Sequence, residues 1–524
     1  MTRTSFRRWL TAGAVATMAA ALVACSGGTE AGNAPSPDAT GDPGAGATAD
    51  TGGSKGVLRL AMNQDIQGWD IGNQPGYMGW PAEAVWDTLF KCDAFNELEP
   101  DIAESWEINE DRSGVTAHIR EGMEFSDGTP VDSAAVEASF TYIKETSSRA
   151  ADYASLVIET PDAYTVSLTW DEPQVTLEDK VCAPKITTPA LIESGNTNDE
   201  PIGSGPYVLD AAKTTRGSVY AFAKNENHWN ADHYPYEELL VSVIESETAT
   251  VSALKTGQLD GARVTAPSVA EVEASGLNTK QYRAQVPRLI LSDRTGEKIP
   301  ALGDVRVRQA INMVFDKETV AQALYLGHAE PTAQVFRPGS RAHIEGLEDP
   351  YPFDVEKARE LMAEAGYADG FSIELPTMTG QNHETVLPYI TQQLAEINIT
   401  VEQVPLSGAN AIGDLLSGTY PVVFWELGNI GDSAMQIYIE ATPDGWWNLQ
   451  HQPNEYVDSR FEQMASADEA TSEKLQQEIN QYIVDEAWFA PLVYAGGFWA
   501  FTDDVQIPTD SFVEGLHPAL RDFK

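Results

Sequence analysis

The sequence predicts a mixed α/β protein, because strand patterns and helix patterns both occur along the chain and neither forms a repeat. Residues 164–170 alternate apolar and hydroxyl side chains, which is typical of a half-buried strand. Asp304 and Asp354 each precede a segment with apolar residues at helical spacing, so each is predicted to cap a helix. The helix that follows Asp354 is predicted to end at Gly366. With 524 residues, the chain is long enough for two to four domains of about 100–200 residues each.

The first 24 residues have the features of a secretory signal peptide. Arg3, Arg7 and Arg8 precede a short apolar run that ends in small residues. The run is shorter than the about 20 residues that a transmembrane helix requires. The segment LVAC, residues 22–25, resembles the lipobox of bacterial lipoproteins, which makes Cys25 the predicted lipidation site. The alternative is an ordinary signal peptide with a chance cysteine.

Residues 25–55 are predicted to form a flexible tether between the membrane and the folded body. They are almost all Gly, Ala, Pro, Ser, Thr and Asp, and such a segment cannot bury enough apolar surface to offset its ordering entropy. Folding is expected to begin near Val57, where VLRLAM alternates like a strand. Cys92 and Cys182 are the only cysteines after the lipobox, and in an exported protein an even pair favours a disulfide over two buried thiols.

The composition argues against several classes of function. Acidic residues number 79 against 33 basic ones, which disfavours nucleic-acid binding because phosphate contacts need a basic face. The sequence contains no phosphate-binding loop and no H-E-x-x-H zinc motif. We therefore expect a binding protein without cofactor or metal, and no enzyme. A secreted glycoside hydrolase remains a remote alternative, because its carboxylates assemble from distant positions.

Residues 98–140 combine a turn, a helix-capping residue and a tryptophan, and these features predict an architectural role. Asp127, Gly128 and Pro130 form a turn, since Asp127 can accept from the backbone ahead and Gly128 tolerates positive φ. Asp132 is predicted to cap the helix that follows. Trp106 is predicted to be a buried anchor beneath a strand pair.

The same stretch closely resembles the signature of family 5 of the bacterial extracellular solute-binding proteins, the peptide-type receptors of ABC importers. The matching residues are Leu98, Pro100, Ala103, Ser105, Trp106, Arg120, Gly122, Phe125, Asp127, Gly128, Thr129 and Pro130. GSGPYVL, NENHWN, SALKTGQLDGA, DVRVRQAINMVFDKETV, DVEKARELMAEAGY and PNEYVDSRFEQM resemble further family segments. The resemblance therefore extends from about residue 57 to the C-terminus.

This resemblance implies a two-lobed, periplasmic-binding-protein-like α/β fold (type II, cluster C) with a small domain inserted in the first lobe. It places lobe 1 at residues 56–93, 203–297 and 487–524, the inserted domain at 94–202, and lobe 2 at 298–486. It also implies a monomeric extracytoplasmic receptor, lipid-anchored at the outer face of the cell membrane, that closes on its ligand and delivers it to permease subunits.

The ligand-binding residues are inferred from the same resemblance. In peptide-binding members, an Asp after a W-x-x-D-type strand end pairs with the peptide ammonium. Trp425 fits that strand end, Asn429 falls at the ammonium position, Asp432 follows three residues later, and Glu426 is a weaker candidate. Asn429 carries no charge and loses the stronger charge-assisted bond, which would suit a neutral oligosaccharide. Asp432 substitutes if the loop shifts.

Aromatic residues complete the predicted site, because flat rings suit sugars and also hold peptide side chains. The aromatic residues in stretches that face the cleft in relatives are Trp69, Tyr77, Trp80, Trp425, Trp446, Trp447 and Trp499. Trp446 and Trp447 are adjacent, which makes it difficult to bury both on a strand. The tryptophans predicted to be core are Trp86, Trp106, Trp170, Trp229 and Trp488. An oligopeptide is the predicted ligand, and an oligosaccharide is the alternative.

Overall fold

The computed structural model describes residues 55–73, 79–93, 96–147, 149–199, 201–283, 285–378, 383–407, 411–428, 432–508 and 517–524. The predicted signal peptide, Cys25 and the predicted tether up to residue 54 lie outside these residues, as do Tyr77 and Asn429. Among the helices of the described ranges, none combines the length and the apolar character needed to span a bilayer.

The first part of the chain supplies the start of one sheet and then a separate small domain. Its elements are β1 (Lys55–Met62), α1 (Gly79–Val85) and β2 (Phe90–Cys92). The inserted domain follows with β3 (Leu98–Pro100), β4 (Ala103–Ile108), β5 (Gly114–Ile119), α2 (Ser133–Thr146), β6 (Val157–Asp162), β7 (Thr165–Thr169), α3 (Leu177–Cys182) and α4 (Pro189–Ser194).

The next part of the chain completes the first sheet. Its elements are β8 (Tyr207–Leu209), β9 (Val219–Lys224), β10 (Tyr236–Val243), α5 (Glu247–Lys255), β11 (Gly261–Val264), α6 (Ala266–Ala274) and β12 (Asn278–Gln281). With a last strand from the C-terminal region they form a seven-stranded sheet in the order β12, that last strand, β11, β1, β10, β9, β8. We call the part of the molecule built on this sheet lobe 1.

The remaining elements build lobe 2 and then return to lobe 1. They are β13 (Gln285–Leu291), α7 (Val305–Met313), α8 (Lys317–Thr319), β14 (Glu330–Pro331), α9 (Val355–Glu364), β15 (Phe371–Thr377), α10 (His383–Ala395), β16 (Ile399–Pro405), α11 (Ala411–Leu416), β17 (Val422–Gly428), α12 (Ser433–Ala441), α13 (Glu455–Met464), α14 (Glu469–Asp485), β18 (Phe489–Pro491), β19 (Val493–Tyr494) and β20 (Phe498–Phe501). Lobe 2 is built on the three-stranded sheet β17-β13-β18.

Several elements that were predicted from local sequence patterns are present in the structure. The predicted first strand is β1, which pairs in parallel with β10 and β11 and buries Leu58 and Leu60. The alternating segment is β7, with Val166 and Leu168 buried. The capping predictions are confirmed, because the side chain of Asp304 accepts from Arg306 N and that of Asp354 from Lys357 N.

The inserted domain is an antiparallel sheet, β4-β5-β7-β6, packed against α2. The predicted turn is present: Asp127 Oδ1 accepts from Thr129 N at 2.9 Å, and Gly128 has φ of +81°. Asp132 caps α2 by accepting from Ala135 N. Trp106 differs from the prediction: it is half-buried, because β4 is an edge strand, and it packs on Phe90 at 5.3 Å.

A disulfide joins Cys92 to Cys182, with 5.9 Å between the two Cα atoms. Cys92 ends β2 and Cys182 ends α3, so the bond links the strand that leads into the inserted domain to a helix near its end. The bond closes a loop of 90 residues in sequence. It therefore fixes both ends of most of the inserted domain relative to one another.

The chain crosses between the two lobes at two adjacent places, and this differs from the predicted boundaries. Strand β13 pairs with β17 and β18, so Gln285–Leu291 and Phe489–Pro491 lie in the lobe 2 sheet, whereas the predicted boundaries grouped both segments with lobe 1. Alternation along one strand does not show which sheet it joins, so the sequence alone missed this. The crossovers touch at Gly496, where a Cβ would lie 1.6 Å from the carbonyl oxygen of Tyr282.

Candidate functional site

The predicted strand end in lobe 2 carries half-buried aromatic residues. Trp425 is the middle residue of β17 and packs against Trp447, with 5.4 Å between ring centroids. Trp446 is also half-buried and lies 6.3 Å from the ring of Tyr438 on α12. Trp447 itself is 6% exposed. The structure thus brings three of the predicted tryptophans together, with two of them partly open.

A tight turn after α12 explains how two adjacent tryptophans pack differently. Gly445 closely approaches the helix end, because a Cβ there would lie 2.3 Å from the Tyr438 carbonyl oxygen. Trp447 N then donates to the Ile439 carbonyl at 2.8 Å. Since this segment is a turn and not a strand, Trp446 and Trp447 do not have to occupy opposite faces of a sheet.

Asp432 caps α12, with its Oδ1 accepting from Met435 N at 2.8 Å. Burial of the carboxylate raises the pKa of Asp432 to about 6, and the nearby carboxylates of Glu178 and Asp179 add to the rise. The Met435 N–H and the guanidinium of Arg341 oppose it. Among the described residues no cation lies within ion-pair distance of Asp432.

The carboxylates near Asp432 come from α3 of the inserted domain. Both oxygens of Glu178 accept from Arg112 at 2.7 Å, and Asp179 Oδ2 accepts from Arg149 at 2.5 Å. Each of these carboxylates is therefore already paired with an arginine of the inserted domain, whereas Asp432 has no such partner within the described ranges. The net electrostatic environment of Asp432 favours a positively charged group.

The inserted domain also bonds directly to lobe 2. Tyr438 Oη on α12 donates to Asp152 Oδ1 at 2.9 Å, and Arg149 Nε donates to the other oxygen of Asp152 at 2.8 Å. Arg341 of lobe 2 lies 3.7 Å from Glu97. The sequence did not identify Tyr438 as a functional residue. In the structure, Tyr438 is half-buried, whereas the other side chains of α12 are buried.

Glu426 lies at the crossover region. Its Oε1 accepts from Tyr325 Oη at 2.7 Å. Burial of Tyr282, which lies on the first crossover, raises the pKa of its hydroxyl; Arg263 opposes that rise and the negative charge of Glu426 adds to it. Glu426 thus belongs to a polar group at the hinge, and its predicted ligand contact stays a prediction.

The predicted tryptophans of lobe 1 have a different environment, since all three are buried. Trp69 is 1% exposed and packs edge-on against Trp86 and Tyr220. Trp80 and Trp499 lie 5.1 Å apart, and Trp80 Nε1 donates to the Pro518 carbonyl. The structure shows packing roles for these side chains, and their ligand contacts stay predictions.

The five tryptophans predicted to be core divide into two groups. Trp86, Trp170 and Trp488 are buried as predicted. Trp106, as described above, and Trp229 are only half-buried. The guanidinium of Arg120 lies 3.9 Å above the Trp229 ring, so a cation covers a face that the prediction had assigned to the core.

Comparisons with known proteins place this architecture in context. The model of the family "Bacterial extracellular solute-binding proteins, family 5 Middle" matches residues 97–448. The chain is 24% identical over 455 residues to heme-binding protein A of Haemophilus influenzae, covering 77% of this chain and 80% of that protein. It is 26% identical over 334 residues to the glutathione-binding protein GsiB of Escherichia coli, covering 61% of this chain and 64% of that protein, just under two thirds of its length.

Among solved structures, the periplasmic binding protein DppA of Helicobacter pylori, in complex with the peptide STSA, has a TM-score of 0.75 and 20% sequence identity. The alignment covers 91% of this chain and 98% of that one. This likeness shows the fold, which is that of a two-lobed periplasmic binding protein of the family 5 type.

Proposed function

Since the chain belongs to the bacterial extracellular solute-binding proteins of family 5, it is a substrate-binding protein of an ABC importer, and we propose that its ligand is an oligopeptide. The ligand binds between the lobes and is delivered to the permease, and no bond is made or broken. The glutathione-binding and peptide-bound relatives support a peptide-like ligand, because each of those proteins is named for, or holds, a compound with peptide bonds.

The observation that carries the proposal is the environment of Asp432. A half-buried carboxylate with a pKa raised to about 6 and no ion-pair partner among the described residues favours a cation at its free oxygen. A peptide ammonium supplies that cation together with charge-assisted hydrogen bonds. Asp432 thus takes the anchoring role that the uncharged Asn429 does not provide.

Closure of the cleft follows from the contacts between lobe 2 and the inserted domain. The Tyr438–Asp152 hydrogen bond joins α12, which begins at Asp432, to the inserted domain. A ligand held at the start of α12 contacts both sides only when they are together, so it shifts the equilibrium towards the closed form.

An oligosaccharide is the second candidate, and the half-buried tryptophans of lobe 2 favour it. Trp425 and Trp446 lie near the start and end of the segment that holds Asp432, and their partly open rings suit stacking on sugars. Such a ligand would use these rings and would gain nothing from the charge of Asp432.

The substitution Asp432→Asn separates the two ligands. Asn caps a helix as well as Asp does but removes the charge, so the fold is retained while the ammonium partner is lost. We expect peptide affinity to fall about 10- to 100-fold, the usual worth of a hydrogen bond to a charged group. Asp354→Asn, at the cap of α9, is the matched control and should bind like the wild type.

The measurement is a thermal-shift screen followed by calorimetry, with di- to pentapeptides alongside α- and β-linked oligosaccharides. Peptide affinity that is equal in the wild type and in Asp432→Asn would remove Asp432 as the anchor. A sugar that binds while all peptides are silent would establish the second candidate.

We further propose that Cys25 carries a lipid that holds the protein at the outer face of the membrane. A diacylglycerol anchor supplies two acyl chains, which is the number needed for stable attachment. Cys25→Ser should move the protein from the membrane fraction to the soluble fraction. Continued membrane association of that variant would contradict the anchor.

A further inference from the structure

A row of three side chains crosses one face of the lobe 1 sheet close to the crossovers. Strand β20 pairs with β11 on one side and with β12 on the other. The register sets Arg263 and Lys280 directly opposite Trp499. Residues directly opposite in antiparallel strands lie on the same face, so a cation flanks Trp499 on each side.

The indole of Trp499 has an unmet hydrogen-bonding requirement. Trp499 is 4% exposed, and its Nε1 has no acceptor among the residues that the structure describes. Its neighbour Trp80 differs, because Trp80 Nε1 donates to the Pro518 carbonyl at 2.8 Å. Buried polar groups in native proteins nearly always have a partner, so an acceptor from outside the described residues is expected at Trp499.

The two flanking cations also lack carboxylate partners. In the described part of the chain, neither Arg263 nor Lys280 forms an ion pair; Lys280 Nζ donates to the Ile507 carbonyl, and Arg263 lies within 3.5 Å of Gln285 Oε1. This is unexpected in a chain with 79 acidic and 33 basic residues. The exposed Arg283, three residues beyond Lys280, does pair with a carboxylate, that of Glu330.

The guanidinium of Arg263 lies beside both crossovers. Its Cζ lies 5.6 Å from the ring centroid of Tyr282, on the first crossover. Gly497, on the second crossover, makes room for this arrangement, because a Cβ there would lie 2.9 Å from Arg263 Nε and 2.5 Å from Tyr282 Oη. A side chain at position 497 would therefore displace Arg263.

We propose that Arg263, with Lys280 and the Trp499 N–H beside it, is a subsite for a carboxylate of the bound ligand at the hinge end of the cleft. The guanidinium fork matches a carboxylate in a bidentate geometry, and the indole adds one further donor. The inference rests on the proposed function, in which a peptide ammonium binds Asp432 of lobe 2. A carboxylate at Arg263 of lobe 1 would then let the two charged ends of one ligand hold both lobes.

The test compares each of the di- to pentapeptides as the free acid and as the C-terminal amide. Oligogalacturonides and their methyl esters form a second acid–neutral pair from a different source. Calorimetry is run on the wild type, Arg263→Gln, Arg263→Lys and Trp499→Phe. The control is Arg283→Gln, which removes a neighbouring arginine that has its own partner. Melting curves by circular dichroism verify that each variant is folded.

We expect the wild type to prefer the free acid about 10-fold or more, and Arg263→Gln to lose about 10- to 100-fold for the acid while its affinity for the amide is unchanged. Arg263→Lys should recover part of the acid preference, since it keeps the charge and loses the fork. Trp499→Phe, which keeps the ring and removes the N–H, should lose a few-fold. Arg283→Gln should behave like the wild type.

The alternative outcomes distinguish this inference from the proposed function. If acid and amide bind equally in the wild type, the carboxylate subsite is overturned and the peptide receptor stands. If peptides are silent but galacturonides bind in an Arg263-dependent way, the peptide ligand is overturned and the subsite stands. If no compound of either acid class binds, both are overturned.

Discussion

The two groups of tryptophans, one in each lobe, differ in how they are held. In lobe 1, Trp69, Trp80 and Trp499 are buried in an aromatic core. Of the three tryptophans predicted to contact the ligand in lobe 2, Trp425 and Trp446 are half-buried and Trp447 is buried. The sequence predicted the same ligand-contacting role for all of them. The difference indicates that a tryptophan near a cleft in sequence can serve either as a support for the binding surface or as part of it.

The side chains that surround Trp425 in lobe 2 also differ from those around the lobe 1 tryptophans, because they include a buried ion pair. Trp425 lies directly opposite Arg288 in the β13–β17 register. Arg288 is completely buried and lies 2.6 Å from Glu440 of α12, which is 3% exposed. Burial lowers the pKa of Arg288 and raises that of Glu440, and each partner's charge opposes the shift in the other. Lobe 1 thus packs its tryptophans against other rings, whereas in lobe 2 Trp425 packs against Trp447 and lies opposite an arginine that is held in a buried ion pair.

The largest expected effect is on stability, from a tryptophan in lobe 1. Trp69→Ala should lower the free energy of unfolding by about 3–5 kcal/mol, because it empties a fully packed site. Trp446→Ala should lower it by less than about 1 kcal/mol, because the ring is partly open. Urea unfolding followed by circular dichroism measures both. An equal loss of unfolding free energy in the two variants would contradict the difference between the two groups of tryptophans.

The second effect tests the ion pair under Trp425. Glu440→Gln keeps the shape but leaves the Arg288 charge without a counter-charge, so it should cost about 3 kcal/mol of unfolding free energy. The double variant Arg288→Met with Glu440→Leu removes both charges and should recover most of that loss. If the single and double variants unfold at the same urea concentration, the ion pair does not explain the support of Trp425.

How much the sequence could predict depends on the range of the interactions involved. The caps at Asp132, Asp304 and Asp354 and the turn at Gly128 were predicted correctly, because each depends on residues within a few positions. The fold came from a resemblance and not from physical pattern. The comparisons confirm it across residues 97–448.

Interactions between distant segments set what the sequence could not predict. Whether Trp69 is open depends on Tyr220 and Phe222, which lie far along the chain. The pairing of β13 with β17 depends on hydrogen bonds between residues more than 100 positions apart. Arg288 and Arg263 are both arginines on strands, yet Arg288 pairs with Glu440 whereas Arg263 forms no ion pair with any residue that the structure describes. Only the three-dimensional arrangement distinguishes them.

The smallest expected effect is the pH dependence of stability that Asp432 adds to lobe 2. Its folded-state pKa of about 6 lies above the unfolded value of about 3.9, so the folded state binds the proton more tightly. The charged form therefore destabilises the fold at pH 7, and this penalty disappears as the pH falls through 6 towards 4. Because the side chain is only half-buried, we expect about 1–2 kcal/mol, less than the full shift would give.

The variant Asp432→Asn isolates this contribution, since it keeps the cap and cannot titrate. Its unfolding free energy should exceed that of the wild type at pH 7 and converge with it near pH 4.5, while Asp354→Asn should show no such convergence. A saturating peptide ligand should also remove the difference at pH 7, because its ammonium neutralises the wild-type carboxylate. A difference between Asp432→Asn and the wild type that is constant from pH 7 to pH 4.5 would show that Asp432 carries no stored charge penalty. In that case the environment of Asp432 in lobe 2 would have no greater electrostatic preference for a positive charge than the buried aromatic core of lobe 1 has.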